Sequence, residues 1–135
     1  MSQANVEVVR RLYESTNVRD WATARDLYAD DVVMAFHGNV KGLGGDAAIG
    51  KPDVIAWFAD WFRSFDDDYR FEVDELRDWG DTVLMVGAHH ARGRSSGVAF
   101  ERRAAWIYVL RDGKIVRCDV YDEPEQALRS AGVDE

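Results

Sequence analysis

The chain has 135 residues, 47% of them hydrophobic and 12% aromatic, and its 25 acidic against 17 basic side chains leave a net charge of −8. That length fits one domain with one sizeable core, and the acid excess disfavours nucleic-acid binding and docking on an anionic membrane. The single cysteine, Cys118, cannot close an internal disulfide, and no Cys/His cluster suggests structural zinc.

Charges interrupt the N-terminal stretch MSQANVEVVRRLYE where a secretion signal needs unbroken apolar residues. No run approaches the roughly 18 apolar residues of a membrane span. The expectation is a cytoplasmic protein, one domain over residues 1–135.

Residues 4–18 place Val6, Val9, Leu12, Tyr13 and Thr16 at helical spacing, with Glu7, Arg10, Arg11 and Glu14 between them. This predicts an amphipathic helix with Tyr13 on or beside its apolar stripe. Asp20 then reads as an N-cap, and Trp21, Ala24, Leu27 and Tyr28 as a short second helix ended by Ala29–Asp31. Val32–His37 reads as a short strand, and the glycine-rich residues 38–50 as loop. Pro52 and Asp53 open a third helix carrying Val54, Ile55, Trp57, Phe58, Trp61, Phe62 and Phe65. Those residues cover more than half its circumference, so it packs on more than one side.

The acidic run Asp66–Asp68 closes that helix, and from Tyr69 the period changes to two, with Phe71 and Val73 following. Turns at Trp79–Asp81 and Arg94–Gly97 bound a long strand, Thr82–Arg92, and Val98–Leu110 forms another. Asp112–Gly113 is a hairpin signal before a last strand, Ile115–Tyr121. Pro124 opens a C-terminal helical turn that Gly132 ends. Helices first and a meander of strands after make an α+β pattern.

Several motifs fail on inspection. Gly45–Lys51 matches the first seven positions of a phosphate-binding loop, but Pro52 stands where Ser or Thr should hold magnesium. Gly42, Gly44 and Ala47 mimic a dinucleotide fingerprint without a parallel βαβ unit around them. His89 and His90 are neighbours in a strand and face opposite ways, so they cannot share a metal. Neither metal nor cofactor is expected.

The stretch from Tyr13 through Asp20-Trp21 to Leu27-Tyr28-Ala29-Asp30-Asp31-Val32 resembles one superfamily. So does the ending, from Leu110-Arg111-Asp112-Gly113-Lys114-Ile115-Val116-Arg117 to Tyr121-Asp122-Glu123-Pro124-Glu125-Gln126-Ala127-Leu128. This is the nuclear transport factor 2-like superfamily in its SnoaL-like branch, which includes polyketide cyclases and has ketosteroid isomerase and limonene epoxide hydrolase as relatives. The resemblance implies an α+β cone, a curved antiparallel or mixed sheet around three helices with an apolar pocket at one end. It also implies a homodimer through the outer sheet face. On that fold Trp57, Trp61 and Phe65 line or floor the pocket, while Trp106 and Tyr108 serve the outer face.

Residue-by-residue carry-over separates the relatives. Ketosteroid isomerase uses an aspartate base with an oxyanion hole of a tyrosine and a protonated aspartate. Tyr13 falls near that tyrosine, but the base position reads Phe36, then His37, and the second donor position reads Ala105. The Asp-Arg-Asp arrangement of limonene epoxide hydrolase would fall on Gly87, His89 and Val120, so that triad is absent and epoxide hydrolysis ranks last.

Polyketide cyclases of the branch use a pocket Asp or His, which leaves His89, His37 and Asp122 as candidate proton-transfer groups with Tyr13. Counting back along the last strand puts Val116, Cys118, Val120 and Asp122 inward. The same counting puts Met85, Gly87 and His89 inward on one strand and Arg103, Ala105 and Ile107 on the next. Arg103 is then the expected partner of a ligand carboxylate or enolate, with Phe36, Met85 and Val120 in the wall.

The leading expectation is a protein that binds a small, largely apolar molecule, aromatic or polyketide/steroid-like, in the cone. Its chemistry would be metal-free proton transfer. The rival is a non-catalytic ligand-binding or dimerisation module. A hydrophobic cavity of several hundred Å³ holding two convergent titratable groups favours the enzyme, whereas an interior filled by side chains such as Trp57 and Trp61 counts against the leading expectation and leaves the module.

Overall fold

The computed structural model describes residues 3–37, 47–63, 69–92, 97, 99–122 and 124–130. Phe65, the acidic run Asp66–Asp68, the turn residues Arg94–Ser96, Gly132 and residues 38–46, with Gly42, Gly44 and Gly45 of the two motif mimics, lie outside them.

Helix α1 (Gln3–Asn17) forms where the periodicity places it and buries Val6, Val9 and Leu12. Ser15 is buried too, and its hydroxyl donates to the Leu12 carbonyl at 3.0 Å. Asp20 caps α2 (Trp21–Asp26), accepting from the Thr23 backbone N–H at 3.2 Å and from the Thr23 hydroxyl at 2.7 Å.

The chain then departs from the expected boundary. Strand β1 (Tyr28–Phe36) begins at Tyr28, not at Val32. Ile115 N–H donates to the Leu27 carbonyl at 2.9 Å, so pairing with the last strand captures the chain before a further helical turn forms. The expected loop also contains a short strand, β2 (Ala47–Ile49), paired antiparallel with β1.

Helix α3 (Lys51–Arg63) follows, then β3 (Arg70–Asp78), β4 (Thr82–Arg92), β5 (Ala99–Arg111), β6 (Lys114–Tyr121) and α4 (Pro124–Ser130). The six strands form one sheet in the order β2-β1-β6-β5-β4-β3. All pairs are antiparallel except β1 with β6, so the sheet is mixed. No helix among the described residues is long and apolar enough to cross a membrane.

The sheet has two differently used faces. Helices α1 and α3 cover the inner one, where Met34, Phe58, Phe71, Met85 and Trp106 join the main core. Helix α4 covers part of the outer one, where Leu84, Val86, Ala105, Ile107 and Tyr121 pack with Ala127.

This division reverses the expectation for β5. Trp106 and Tyr108 lie on the inner face, and Ala105 and Ile107 on the outer. The β4–β5 register sets each odd-numbered residue of β4 opposite an even-numbered one of β5, as in Met85↔Trp106 and His89↔Arg102. Residues directly opposite share a face, so an inward Met85 brings Trp106 inward and turns Arg103 out.

A second slip occurs in β6. Its register with β5 shifts between Val109 and Leu110, and Ile115, not Val116, enters the core. Beyond the shift Cys118 and Val120 face inward as expected.

Candidate functional site

Between α1, α3 and the inner face lies a cavity of about 30 Å³, lined by Tyr13, Tyr28, Phe58, Phe71, Trp106 and Tyr108 among others. It has room for a water or two, each needing roughly 10–15 Å³. The several hundred Å³ that would favour the enzyme is therefore not open in this conformation. Aromatic rings occupy the interior: Phe58 stacks on Trp106 at 5.9 Å between centroids, and Trp106 on Tyr108 at 6.2 Å.

Beside this cavity sits His89, inward on β4 as its parity predicts. Trp61, Tyr69, Phe71 and Trp106 surround its ring, the nearest being Phe71 at 4.9 Å. Its Nδ1 lies 2.5 Å from the Tyr69 hydroxyl. Burial lowers the imidazole pKa to about 4, and the charges of Arg102 and His90 add to the effect. His89 is accordingly neutral at pH 7.

Tyr69 is itself held from several sides. Asn17 at the end of α1 pairs with both backbone groups of Phe71, donating to the carbonyl at 3.0 Å and accepting from the N–H at 2.9 Å. Arg19 donates to the Tyr69 carbonyl at 3.1 Å and lays its guanidinium 4.6 Å from the Phe62 ring centre. Burial raises the Tyr69 hydroxyl well above its ordinary pKa, and a hydrogen bond from Trp61 partly offsets this.

A protonated phenol that accepts from the Trp61 indole still has its own O–H to donate, and His89 Nδ1 stands within reach of it. The imidazole proton is then on Nε2. This arrangement suits His89, a candidate proton-transfer group in the sequence, to donate to a ligand oxygen.

Of the other candidates, His37 lies apart from His89. His37, at the end of β1, stacks on outer-face Tyr121 at 4.5 Å and places Nε2 2.9 Å from Asp119. Arg117 holds the same carboxylate through two hydrogen bonds of 2.9 and 3.0 Å. Those contacts with Arg117 and His37 outweigh partial burial and leave the Asp119 pKa below its usual range. Asp122 follows the inward parity of β6 and its side chain is only 7% exposed, with Arg102 at 4.0 Å. Tyr13 lines the cavity from α1.

Among the expected wall residues, Trp57 stacks on Trp61 at 5.4 Å and meets Phe36 at 5.0 Å. Both tryptophans are half-buried and pack against the main core, which also holds Met85 and Val120. Arg103 is misplaced by the parity of β5. It is exposed on the outer face, donating to Asp74 at 3.1 Å. Cys118 is buried, which pushes its thiol pKa well up.

Sequence reasoning missed three residues. Tyr69 was read only as the start of an alternating strand, although its position two residues before Phe71 on the same face was a usable signal. Arg102 takes the inward place assigned to Arg103. Trp106 is buried, and its Nε1 has no hydrogen-bond partner among the described residues. No group of three or more His, Cys, Asp or Glu side chains among those residues is arranged to hold a metal.

A family model for the SnoaL-like domain matches residues 9–118. No curated protein matches the chain. Among solved structures, it is similar to a nuclear transport factor 2-like protein of unknown function from Burkholderia pseudomallei K96243, with 21% identity over 96% of this chain and 97% of that one and a TM-score of 0.77. A candidate SnoaL-like polyketide cyclase from Jannaschia sp. CCS1 gives 20% identity over 98% and 94%, with a TM-score of 0.77. TerC, co-crystallised with polyporic acid, gives 18% identity over 95% and 97%, also with a TM-score of 0.77.

Proposed function

Because the chain belongs to the SnoaL-like domain family, we propose that it binds a small, largely apolar, ring-bearing molecule of aromatic or polyketide type inside the cone. One observation carries this reading: a neutral imidazole, fixed by Tyr69, lies inside an aromatic shell beside a cavity. A shell of rings around a few placed polar atoms is the usual make-up of a small-molecule site. The polyporic acid co-crystallised with TerC and the candidate polyketide cyclase among the similar structures support a ring-bearing ligand.

The cavity of about 30 Å³ is too small for a ring, so binding requires interior side chains to turn. The Trp57–Trp61 stack beside it is only half-buried. The closed interior favours binding over catalysis as the primary reading. The experiment is a 1H–15N titration with 6-hydroxy-2-acetylnaphthalene, a neutral bicyclic ketone. Shifts centred on Tyr69, His89 and Trp106 are expected, and a spectrum unchanged at saturation overturns the proposal.

A second reading, metal-free proton transfer, is favoured by the Trp61–Tyr69–His89 chain. A neutral imidazole that donates to a carbonyl oxygen polarises it and acidifies the adjacent C–H. Faster deuterium exchange at the methyl group of the same ketone, lost in His89→Ala, is the expected result. Exchange at the rate of free ketone counts against it.

The proposal extends to a homodimer through the outer sheet face. Beyond α4 the described part of that face carries charges paired within the chain, Arg103 with Asp74 and His90 with Glu72, so the dimer rests on the family resemblance alone. Sedimentation velocity at tens of micromolar should give a dimer, and a monomer alone overturns this part.

A further inference from the structure

Two side chains on the inner face of β5 carry donors that make no hydrogen bond among the described residues. Arg102 extends from β5 directly opposite His89. Among the described residues its guanidinium makes a single ion pair, to Asp122 at 4.0 Å, and no hydrogen bond. About half of the Arg102 side chain is exposed, so it stands at the rim of the interior. Four residues further along the same face, Trp106 is only 6% exposed, lines the cavity, and leaves Nε1 without a partner among the described residues.

Both features are unusual. A buried N–H without an acceptor has given up its hydrogen bond to water and gained none in exchange, and a guanidinium holding a carboxylate only at long range leaves its donor fork unused. Ala104, the only inward residue between them, carries no more than a methyl group. Four residues of strand set the two donors about 13 Å apart at their Cα atoms, and the Arg102 side chain shortens that span toward the length of a bicyclic ring system.

We propose that the ligand is a planar aromatic hydroxy acid, its carboxylate held by Arg102 with His89 Nε2 and an oxygen at its far end accepting from Trp106 Nε1. The proposal rests on the binding function above and adds the charge and the two polar ends of the molecule. A carboxylate at the half-exposed rim keeps contact with water, while the ring enters the aromatic interior. No group on the ligand needs to be buried as a charge.

The test compares 6-hydroxy-2-naphthoate, 6-hydroxy-2-acetylnaphthalene and 2-naphthoate on the full chain at pH 7, by calorimetry and by the indole N–H signals of the five tryptophans. The hydroxy acid should bind about tenfold more tightly than the ketone, and Arg102→Met should reduce that preference to about twofold or less. Removing the hydroxyl, as in 2-naphthoate, should weaken binding several-fold in the native chain and not at all in Trp106→Phe. The indole signal missing from Trp106→Phe should be the one that shifts most with the hydroxy acid. If the ketone binds as well as the acid, or Arg102→Met keeps the preference, the charged end is wrong while interior binding stands. If 2-naphthoate matches the hydroxy acid, or the Trp106 signal stays still, the far contact is wrong. If none of the three binds, this inference falls together with the binding function.

Discussion

The hydroxyl of Tyr69 lies 2.5 Å from Nδ1 of His89, joining the residue just before β3 to the inner face of β4. A phenol kept protonated by burial faces an imidazole kept neutral by burial, so neither carries charge inside the aromatic shell. The pair therefore satisfies two polar groups without an ion, at a place where an uncompensated charge would be costly.

The first consequence is a pH dependence of stability. His89 titrates near 4 in the folded chain and near 6.5 when unfolded. The unfolded state thus binds the extra proton first. Its contribution is complete above pH 6.5, is lost as the pH falls toward 4, and changes no further below that. The loss amounts to about 3 kcal/mol. Urea unfolding at pH 7, 5.5 and 4.5 should show a decline in the native chain that His89→Phe lacks. Parallel curves for the two chains would show that His89 protonates freely in the fold.

Tyr69→Phe isolates the other half of the pair. It leaves His89 Nδ1 without its donor and removes the acceptor of the Trp61 indole, with almost no change of volume. A cost of about 1–3 kcal/mol is expected in urea unfolding at pH 7. Imidazole 15N shifts should also move toward a mixture of tautomers, because the group that fixed the Nε2 proton is gone. A single unchanged tautomer would mean that some other contact sets it.

Local regularities reached the scaffold more readily than the site. Helix α1 and strand β4 follow from spacing alone, since Val6, Val9 and Leu12 or Met85 and His89 lie a fixed period apart on one element. The inward side of β5 depends on the odd-to-even pairing across the β4–β5 turn, and that of β6 on a shift at Val109–Leu110. Neither leaves a local mark, so Arg103 was read for Arg102 and Trp106 was turned outward. His37 failed differently. Its nearest partners, Asp119 and Tyr121, come from a strand more than eighty residues away. The position of Tyr69 likewise depends on Asn17 and Arg19, 54 and 50 residues from the groups they hold.

That separation predicts which basic residues leave ligand binding alone. His37→Ala and Arg103→Ala alter the outer side of the sheet, at the Asp119–Tyr121 contact and the exposed Asp74 pair. Both should bind 6-hydroxy-2-naphthoate within about twofold of the native chain. Arg103→Ala should cost no more than about 1 kcal/mol in stability, as exposed ion pairs do. Calorimetry on both variants decides the matter. A tenfold loss in either would put the binding surface on the outer face.

The last prediction concerns the backbone under His89. Strand β3 bulges between Val73 and Glu75, where its register with β4 shifts, and Gly87 faces this irregularity. A Cβ at Gly87 would stand 2.1 Å from the Glu72 carbonyl oxygen and 3.0 Å from the Phe71 ring. The first of these is backbone and cannot swing aside, so Gly87→Ala must push β3 away from β4. Overpacking of this kind costs about 1–3 kcal/mol, and a lower melting temperature is the expected outcome. The shift also moves Phe71, which Asn17 ties to α1 and whose ring lies 4.9 Å from His89. Binding of 6-hydroxy-2-naphthoate should therefore weaken along with stability. If the variant keeps both native stability and native affinity, the close approach of β3 to Gly87 is not what positions the ring cluster around His89.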